Sequence, residues 1–338
     1  MKVGVVGMGA IGGLLAAWIG SRVTGAQISA LARGATLSAL RQHGVRLAEG
    51  EHLLAVPLNV SDQAEALGTQ DLIIVSVKAP ALAAVANDVR SMCHAHTLVL
   101  MAMNGVPWWF FHGLPGACEG LALRSVDAQG HIAALIPASQ VIGAVVHISA
   151  VAPQPGMVRH GIGNTLIIGE PAGGSSARVQ SLSTVLTAAG MAVKVSERIQ
   201  RDIWFKLWGN MTMNPISALT GAPCDRILDD PLVRNFCSAV MVEARAIGAA
   251  FGVPIEQEPD QRHEITRQLG AFKTSMLQDV EAGRSIELDA LLGVVREIGH
   301  HLGLATPNID ARFGLTRLMA QQRGLYPLAQ CVEPQIKS

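Results

Sequence analysis

The stretch Lys2-Val3-Gly4-Val5-Val6-Gly7-Met8-Gly9-Ala10-Ile11-Gly12-Gly13 decides the fold. It reads as a short buried strand running straight into a G-x-G-x-x-G turn, and Leu14 to Gly20 continue as a helix. Each glycine has its own reason: Gly7 for the tight turn, Gly9 so that backbone can approach a pyrophosphate, Gly12 so that helix and strand pack closely. With Met8, Ala10 and Ile11 between them, they present free N–H groups and the positive end of a helix dipole to phosphates. The position of the motif, after an initial strand and before a helix, gives it weight. A competing reading of the uncharged run from Val3 to Ser21 is a secretory signal. The single lysine ahead of it and the glycines that interrupt its apolar core argue against one.

A second strand follows, Gln27-Ile28-Ser29-Ala30-Leu31-Ala32-Arg33-Gly34. Where an NAD-binding chain places a carboxylate for the ribose 2′-hydroxyl, this one has no Asp or Glu and has Arg33. A guanidinium suits a 2′-phosphate, so NADPH is favoured over NADH; the alternative is a solvated surface arginine. Gly44 to Val60 reads as a small β excursion turned at Glu49-Gly50-Glu51. Asp71 to Val77 is a buried strand ending in Lys78, and Thr97 to Met103 is another ending in Asn104-Gly105. Ligands of open parallel sheets sit outside the carboxyl ends of the strands, where Lys78 and Asn104 fall, although a solvated strand terminus accounts for either residue alone. Strands near Val141 to Val151, Gly156 to His160 and Thr165 to Gly169, a helix from Ser175 to Gly190, and a strand from Ala192 to Val195 complete a Rossmann-type domain, residues 1–196.

From residue 197 to residue 338 the pattern is helical. Five apolar-periodic segments run from Ile199 to Met213, Pro231 to Phe251, Pro259 to Glu281, Leu288 to Leu302 and Asn308 to Arg323, and Pro215 is expected to kink or end the first. The expected fold is therefore α/β, a dinucleotide-binding domain followed by an all-α domain, with the active site in the cleft between them. In the first helix, at about 100° per residue, Asn210 and Asn214 lie about 40° and 80° around the axis from Lys206. Asparagine is a poor residue for a helix interior, so two of them below a lysine in a tryptophan- and methionine-rich segment suit a small polar ligand. A buried lysine satisfied by carbonyls, with locally bonded asparagines, is the other reading.

Composition excludes several classes. Of 338 residues, 26 are Lys or Arg and 26 are Asp or Glu, so the formal charge is zero and nucleic acid is not an expected partner. Apart from the glycine-broken N-terminus, no apolar run is long enough for a bilayer, and no membrane partner is expected. Cys93, Cys118, Cys224, Cys237 and Cys331 are scattered, odd in number and without a C-x-x-C pair, which points to a reducing cytoplasm rather than a disulfide frame. His94 with His96, and His300-His301, lack acidic or cysteine companions at ligand spacing, so no metal is expected. No G-x-S-x-G elbow supports a serine hydrolase.

Gly7-x-Gly9-x-x-Gly12, Arg33, Lys78, Asn104-Gly105, Lys206-x-x-x-Asn210-x-x-x-Asn214-Pro215, and Ser275-Met276-Leu277-Gln278-Asp279 followed by Glu287-x-Asp289 together resemble the ketopantoate reductases (2-dehydropantoate 2-reductases) over nearly the whole chain. The resemblance implies NADPH-dependent reduction of ketopantoate to pantoate on the route to coenzyme A. It implies that Lys206 is the general acid, that Asn104, Asn210, Asn214 and Ser275 hold the substrate, and that Lys78, Arg33, Asn104 and Glu287 contact the cofactor or organise its edge. Hydride attack on a 2-oxo carbonyl leaves an alkoxide, which an ammonium can both stabilise and protonate. Partial burial lowers a lysine from its ordinary pKa of about 10.4 and makes it a better donor, while Glu287 close by keeps it charged and aimed. Without the resemblance, Glu287 reads as a first-turn carboxylate at a helix N-terminus.

Two features depart from the family. Val106-Pro107-Trp108-Trp109-Phe110-Phe111 opens a segment to Gly143 that is longer than in the defining enzymes, an aromatic insertion suited to a pocket wall or an interface. Cys224 stands ten residues after Asn214, where pantoate-binding members can carry another asparagine. A reductase of another branched 2-oxo acid therefore stays open. So do an NADP-binding regulator without turnover, against which the presence of both Lys206 and Glu287 speaks, and a β-hydroxyacid or sugar-acid dehydrogenase, which would work oxidatively. The long helices from Pro231 onward and the Trp108-Trp109 pair are candidate surfaces for a homodimer.

Overall fold

A computed structural model describes residues 1–268 and 270–328; Cys331 lies outside them. The chain divides into two compact units. One comprises residues 1–104, 109–114 and 129–202, and the other residues 105–108, 115–128 and 203 onward. The second unit thus takes in two short pieces that precede the 196/197 boundary expected from the sequence.

The strands of the first unit are β1 Lys2–Val6, β2 Gln27–Leu31, β3 Val45–Glu49, β4 His52–Val56, β5 Asn59–Ser61, β6 Gln70–Val75, β7 Cys93–Met101, β8 Val141–His147, β9 Ala150–Gln154, β10 Met157–His160, β11 Thr165–Gly169 and β12 Ala192–Val195. Helices α1 Ala10–Arg22, α2 Gly34–His43, α3 Leu82–Ser91, α4 His131–Leu135 and α5 Ala177–Ala188 accompany them. Eight strands form one sheet in the order β12-β11-β8-β7-β6-β1-β2-β5, and four form a second, β4-β3-β10-β9. In the larger sheet β8, β7, β6, β1, β2 and β5 run parallel to one another in succession, and β11 returns antiparallel to β8. Ile73 and Ile74 point to opposite faces of β6 and both are fully buried. Such strands, covered on both sides, read as unbroken apolar runs rather than alternating ones.

Helix α1 explains the long uncharged stretch near the chain start. A methyl group on Gly12 would meet the Gly7 carbonyl at 2.1 Å and one on Gly13 would meet Val158 at 2.8 Å, so one side of the helix presses on the glycine turn and another on the second sheet. Every residue from Gly12 to Ile19 is buried. A helix packed all round needs no polar face.

The second unit is helical: α6 Ile199–Thr220, which begins at the end of the first unit, α7 Cys224–Asp229, α8 Pro231–Ala250, α9 Pro259–Arg267, α10 Ser275–Glu281, a π-helical turn Asp289–Gly293, α11 Val294–His301 and α12 Pro307–Gln322. No described helix is long and apolar enough to cross a membrane. Three expectations need correction. Helix α6, expected to span Ile199 to Met213 and to kink or end at Pro215, runs through Pro215 to Thr220, and the fully buried Arg312 guanidinium donates to the Thr212 carbonyl at 2.7 Å. The single helix expected from Pro259 to Glu281 is two helices. Gly270 at φ 64° breaks it, and α10 starts afresh at Thr274, whose hydroxyl accepts from the Leu277 N–H at 3.2 Å. Finally, the aromatic run is no surface: Trp108, Trp109, Phe110 and Phe111 are all buried, and the Trp109 ring occupies room that Gly143 leaves, 2.5 Å from where a Cβ would sit.

Candidate active site

In the first unit the candidate residues fall at one end of the sheet. Gly7 follows β1, Arg33 follows β2, Lys78 follows β6 and Asn104 follows β7, and these four strands are parallel neighbours, so all four residues lie at carboxyl ends. Gly7 has φ 102° and a Cβ on it would strike the Val77 nitrogen at 2.7 Å; one on Gly12 would lie 2.2 Å from Ser76 Oγ. The Ser76 hydroxyl donates to the Gly7 carbonyl at 2.8 Å and ties the turn to β6, a contact no motif announced. Gly9 is different. A Cβ there would meet nothing within 4 Å, and Gly9 precedes α1 with no side-chain cap and no acid in the first helical turn. The chain's own packing does not require this glycine, whereas an approaching pyrophosphate does, so the turn fits a dinucleotide. Arg33 is largely exposed, with Nη2 3.0 Å from Asp88 Oδ2. A hollow of about 530 Å³ lined by Lys2, Gln27, Asn59 and Gln70 opens at the opposite, amino ends of the strands and is not this site.

In the second unit, α6 is anchored by its aromatic residues. Trp208 Nε1 donates to the Met241 carbonyl at 2.8 Å, and Trp204 meets Phe251 edge-on with centroids 4.8 Å apart. With that face committed to the core, Lys206 and Asn210 stay half-buried, and Asn214, 7% exposed, directs Nδ2 to Ser275 Oγ at 3.4 Å. Ser275 is the first residue of α10, so the helix restart at Thr274 brings it to α6. Among the described residues no hydrogen bond engages the Asn210 carboxamide, which leaves its donors and acceptor available to a ligand. Burial lowers the Lys206 ammonium from 10.5 to about 8, against an opposing pull upward from the Glu287 carboxylate. Lys206, Asn210, Asn214, Ser275 and Glu287 are thus carried together by one unit.

The sequence did not announce two neighbours of this group. Arg262 lies over the Phe205 ring at 5.4 Å and against Gly209, where a Cβ would be 2.6 Å from its Nη2. Glu287 leads into the π-helical turn, which is pinned by the Val106 N–H donating to the Ala290 carbonyl at 3.0 Å. Gly105, at φ 85°, permits that approach, since a Cβ would come within 2.5 Å of the same carbonyl oxygen. The glycine of the Asn104-Gly105 pair therefore serves the Glu287 turn. Cys224 belongs to an apolar cluster with Met213, Ile216, Ile227, Leu228 and Cys237, and burial pushes its thiol up to about 11. Its departure from the family pattern falls in the core. Among the described residues no group of three His, Cys, Asp or Glu is disposed to hold a metal.

Comparison with known proteins agrees with this geometry. The family model described as ketopantoate reductase PanE/ApbA matches residues 3–173, and its C-terminal companion matches residues 198–320. A 2-dehydropantoate 2-reductase of Mesorhizobium japonicum is 42% identical over 328 residues, 96% of this chain and 100% of that one. A crystal structure assigned to a ketopantoate reductase of Ralstonia solanacearum MolK2 superposes with TM-score 0.93 at 54% identity, covering 96% of this chain and 99% of that one. The 2-dehydropantoate 2-reductase of Methylococcus capsulatus superposes with TM-score 0.80 at 26% identity over 96% and 98% of the two chains. With both halves matched and the glycine turn and lysine helix in place, the chain belongs to the ketopantoate reductase PanE/ApbA family and is an oxidoreductase acting on a 2-oxo acid.

Proposed function

We propose that the protein reduces ketopantoate to pantoate with NADPH and that Lys206 supplies the proton. The observation that carries this reading is the placing of Lys206 on the helix that also bears Asn210 and Asn214, with Asn214 reaching Ser275, where burial lowers the ammonium to about 8 against the pull of Glu287. NADPH bound at the glycine turn would supply the hydride to the C2 carbonyl carbon. Lys206 Nζ donates to the carbonyl oxygen, stabilises the charge that develops there and hands over its proton; with a pKa of about 8 it is about nine-tenths protonated at pH 7. Glu287 holds it charged. The amides of Asn104, Asn210 and Asn214 and the Ser275 hydroxyl bind the carboxylate and hydroxyl oxygens of the substrate without adding a competing charge. Lys78 steadies the cofactor, and Arg33 exchanges Asp88 for the 2′-phosphate.

Lys206→Met, which keeps the apolar stem, is expected to cut kcat by about two orders of magnitude or more while leaving the Kd for NADPH within about twofold. Turnover close to wild type in that variant would remove Lys206 from its role.

The free thiols of Cys93, Cys118, Cys224 and Cys237 favour a cytoplasmic setting; recovery of the native protein from a periplasmic or membrane fraction would contradict that. Exposed Leu232 and Val242 on α8 with Leu315 and Leu318 on α12 favour a homodimer through these helices. A purely monomeric sedimentation profile at assay concentrations and well above would refute it.

A further inference from the structure

Glu287 lies outside regular secondary structure, one residue before Leu288 leads into a π-helical turn. The Val294 N–H closes the π turn on the Asp289 carbonyl, and the rest of its positioning comes from contacts outside it. Part of it comes from the segment after α12. There the helix closes at Gly324, φ 67°, with the Gly324 N–H on the Gln321 carbonyl at 3.1 Å and the Leu325 N–H on the Ala320 carbonyl at 2.8 Å. These are the paired bonds of a glycine-terminated helix end, and Leu325 and Ala320 are both buried beside them. The reversal sends residues 325 and 326 back along the Glu287 segment. The Leu325 carbonyl accepts from the Ile286 N–H at 3.3 Å, and the Tyr326 hydroxyl donates to the Asp289 carboxylate, 2.8 and 3.0 Å from its two oxygens. The two attachments fall on either side of Glu287. Tyr326 is the chain's single tyrosine.

We propose that Leu325-Tyr326 is a strap that positions Glu287 toward Lys206, and that Tyr326 is a positioning residue of the reaction. The inference rests on the reading of Lys206 as the acid and Glu287 as its partner. The surrounding charges leave the strap a specific route of action. Burial raises the Asp289 carboxyl, against the Tyr326 hydrogen bond and the Arg317 guanidinium of α12, which both lower it. Arg262 of α9 lies on Phe205 and Gly209, Arg312 of α12 is spent on the Thr212 carbonyl and Cys237, and Asp279 of α10 pairs with Arg284. The Glu287 carboxylate raises the Lys206 ammonium, so a change at Tyr326 reaches Lys206 through the backbone that carries Glu287.

The test is the pH dependence of kcat from pH 6 to 10 for the full-length enzyme with ketopantoate and NADPH, in wild type, Tyr326→Phe, Glu287→Gln and the double variant. Glu287 holds the Lys206 ammonium up, so loosening it lets the alkaline limb move to lower pH. Tyr326→Phe is expected to move that limb down by about half a unit to one unit and to lower kcat at pH 7.5 by about 3- to 10-fold, with the KM for NADPH unchanged. Glu287→Gln moves the limb at least as far, and the double variant matches it, because the strap acts through Glu287. Asp289→Ala cuts the same hydrogen bond from its other end and is expected to copy the shift, which guards against a folding defect peculiar to one variant. A wild-type limb in Tyr326→Phe and Asp289→Ala beside a shifted one in Glu287→Gln overturns the strap. So does a double variant in which the two shifts simply add. An unshifted limb in Glu287→Gln shows instead that the pairing of Glu287 with Lys206 is wrong, and the strap falls with it.

Discussion

An ammonium held at about 8 is a burden on the folded state at neutral pH. The folded pKa lies below the unfolded value of 10.5, so the folded chain binds fewer protons between the two, and stability rises with pH across that window. Below pH 8 the full cost applies, at most about 3 kcal/mol for a shift of this size. Lys206→Met removes it: the variant is expected to melt above wild type at pH 7, with the gain shrinking as pH rises from 8 toward 10.5. A constant gain across that range would mean that Lys206 does not titrate there. The spacing of Lys206, Asn210 and Asn214 was legible because helical geometry is local. Arg262 and Tyr326 were not, because what gives them meaning, the Phe205 ring and the Asp289 carboxylate, is distant in the chain and reached only through tertiary packing.

At the scale of elements, the glycine turn separates folding from binding. Gly12 is hemmed in by the Gly7 carbonyl and Ser76 Oγ, and Gly9, at φ −81°, faces open space in a conformation that alanine accepts. Gly12→Ala is expected to destabilise the protein by about 3 kcal/mol, read as a lower melting temperature. Gly9→Ala should melt like wild type and lose about tenfold or more in dinucleotide affinity. If both variants melt alike and bind alike, the division of labour in the turn is wrong. The buried strands β1, β6 and β7 could be read from their unbroken apolar runs. The π-helical turn could not, since it follows no hydrophobic period, and the apolar pattern from Pro259 to Glu281 concealed the break at Gly270. Pro215 misled for the opposite reason: it removes only the bond to the Met211 carbonyl, and a helix buried on both sides of it continues to Thr220.

For the whole molecule, the order of a nucleotide domain and a helical domain was readable from the switch in periodicity near residue 197. The return of residues 105–108 and 115–128 to the helical unit was not, because the stretch after Asn104 read as an aromatic insertion and its burial shows only in three dimensions. The proposed reaction carries hydride from NADPH to ketopantoate. Its most direct test follows NADPH absorbance with the purified protein and ketopantoate, beside other branched 2-oxo acids, an NADH control and the Arg33→Ala variant. Rapid oxidation with ketopantoate at a micromolar to sub-millimolar KM is expected, with NADPH preferred over NADH and the preference levelled in Arg33→Ala. Turnover only with a different 2-oxo acid would contradict the substrate, and tight NADPH binding without turnover on any of them would contradict the account itself.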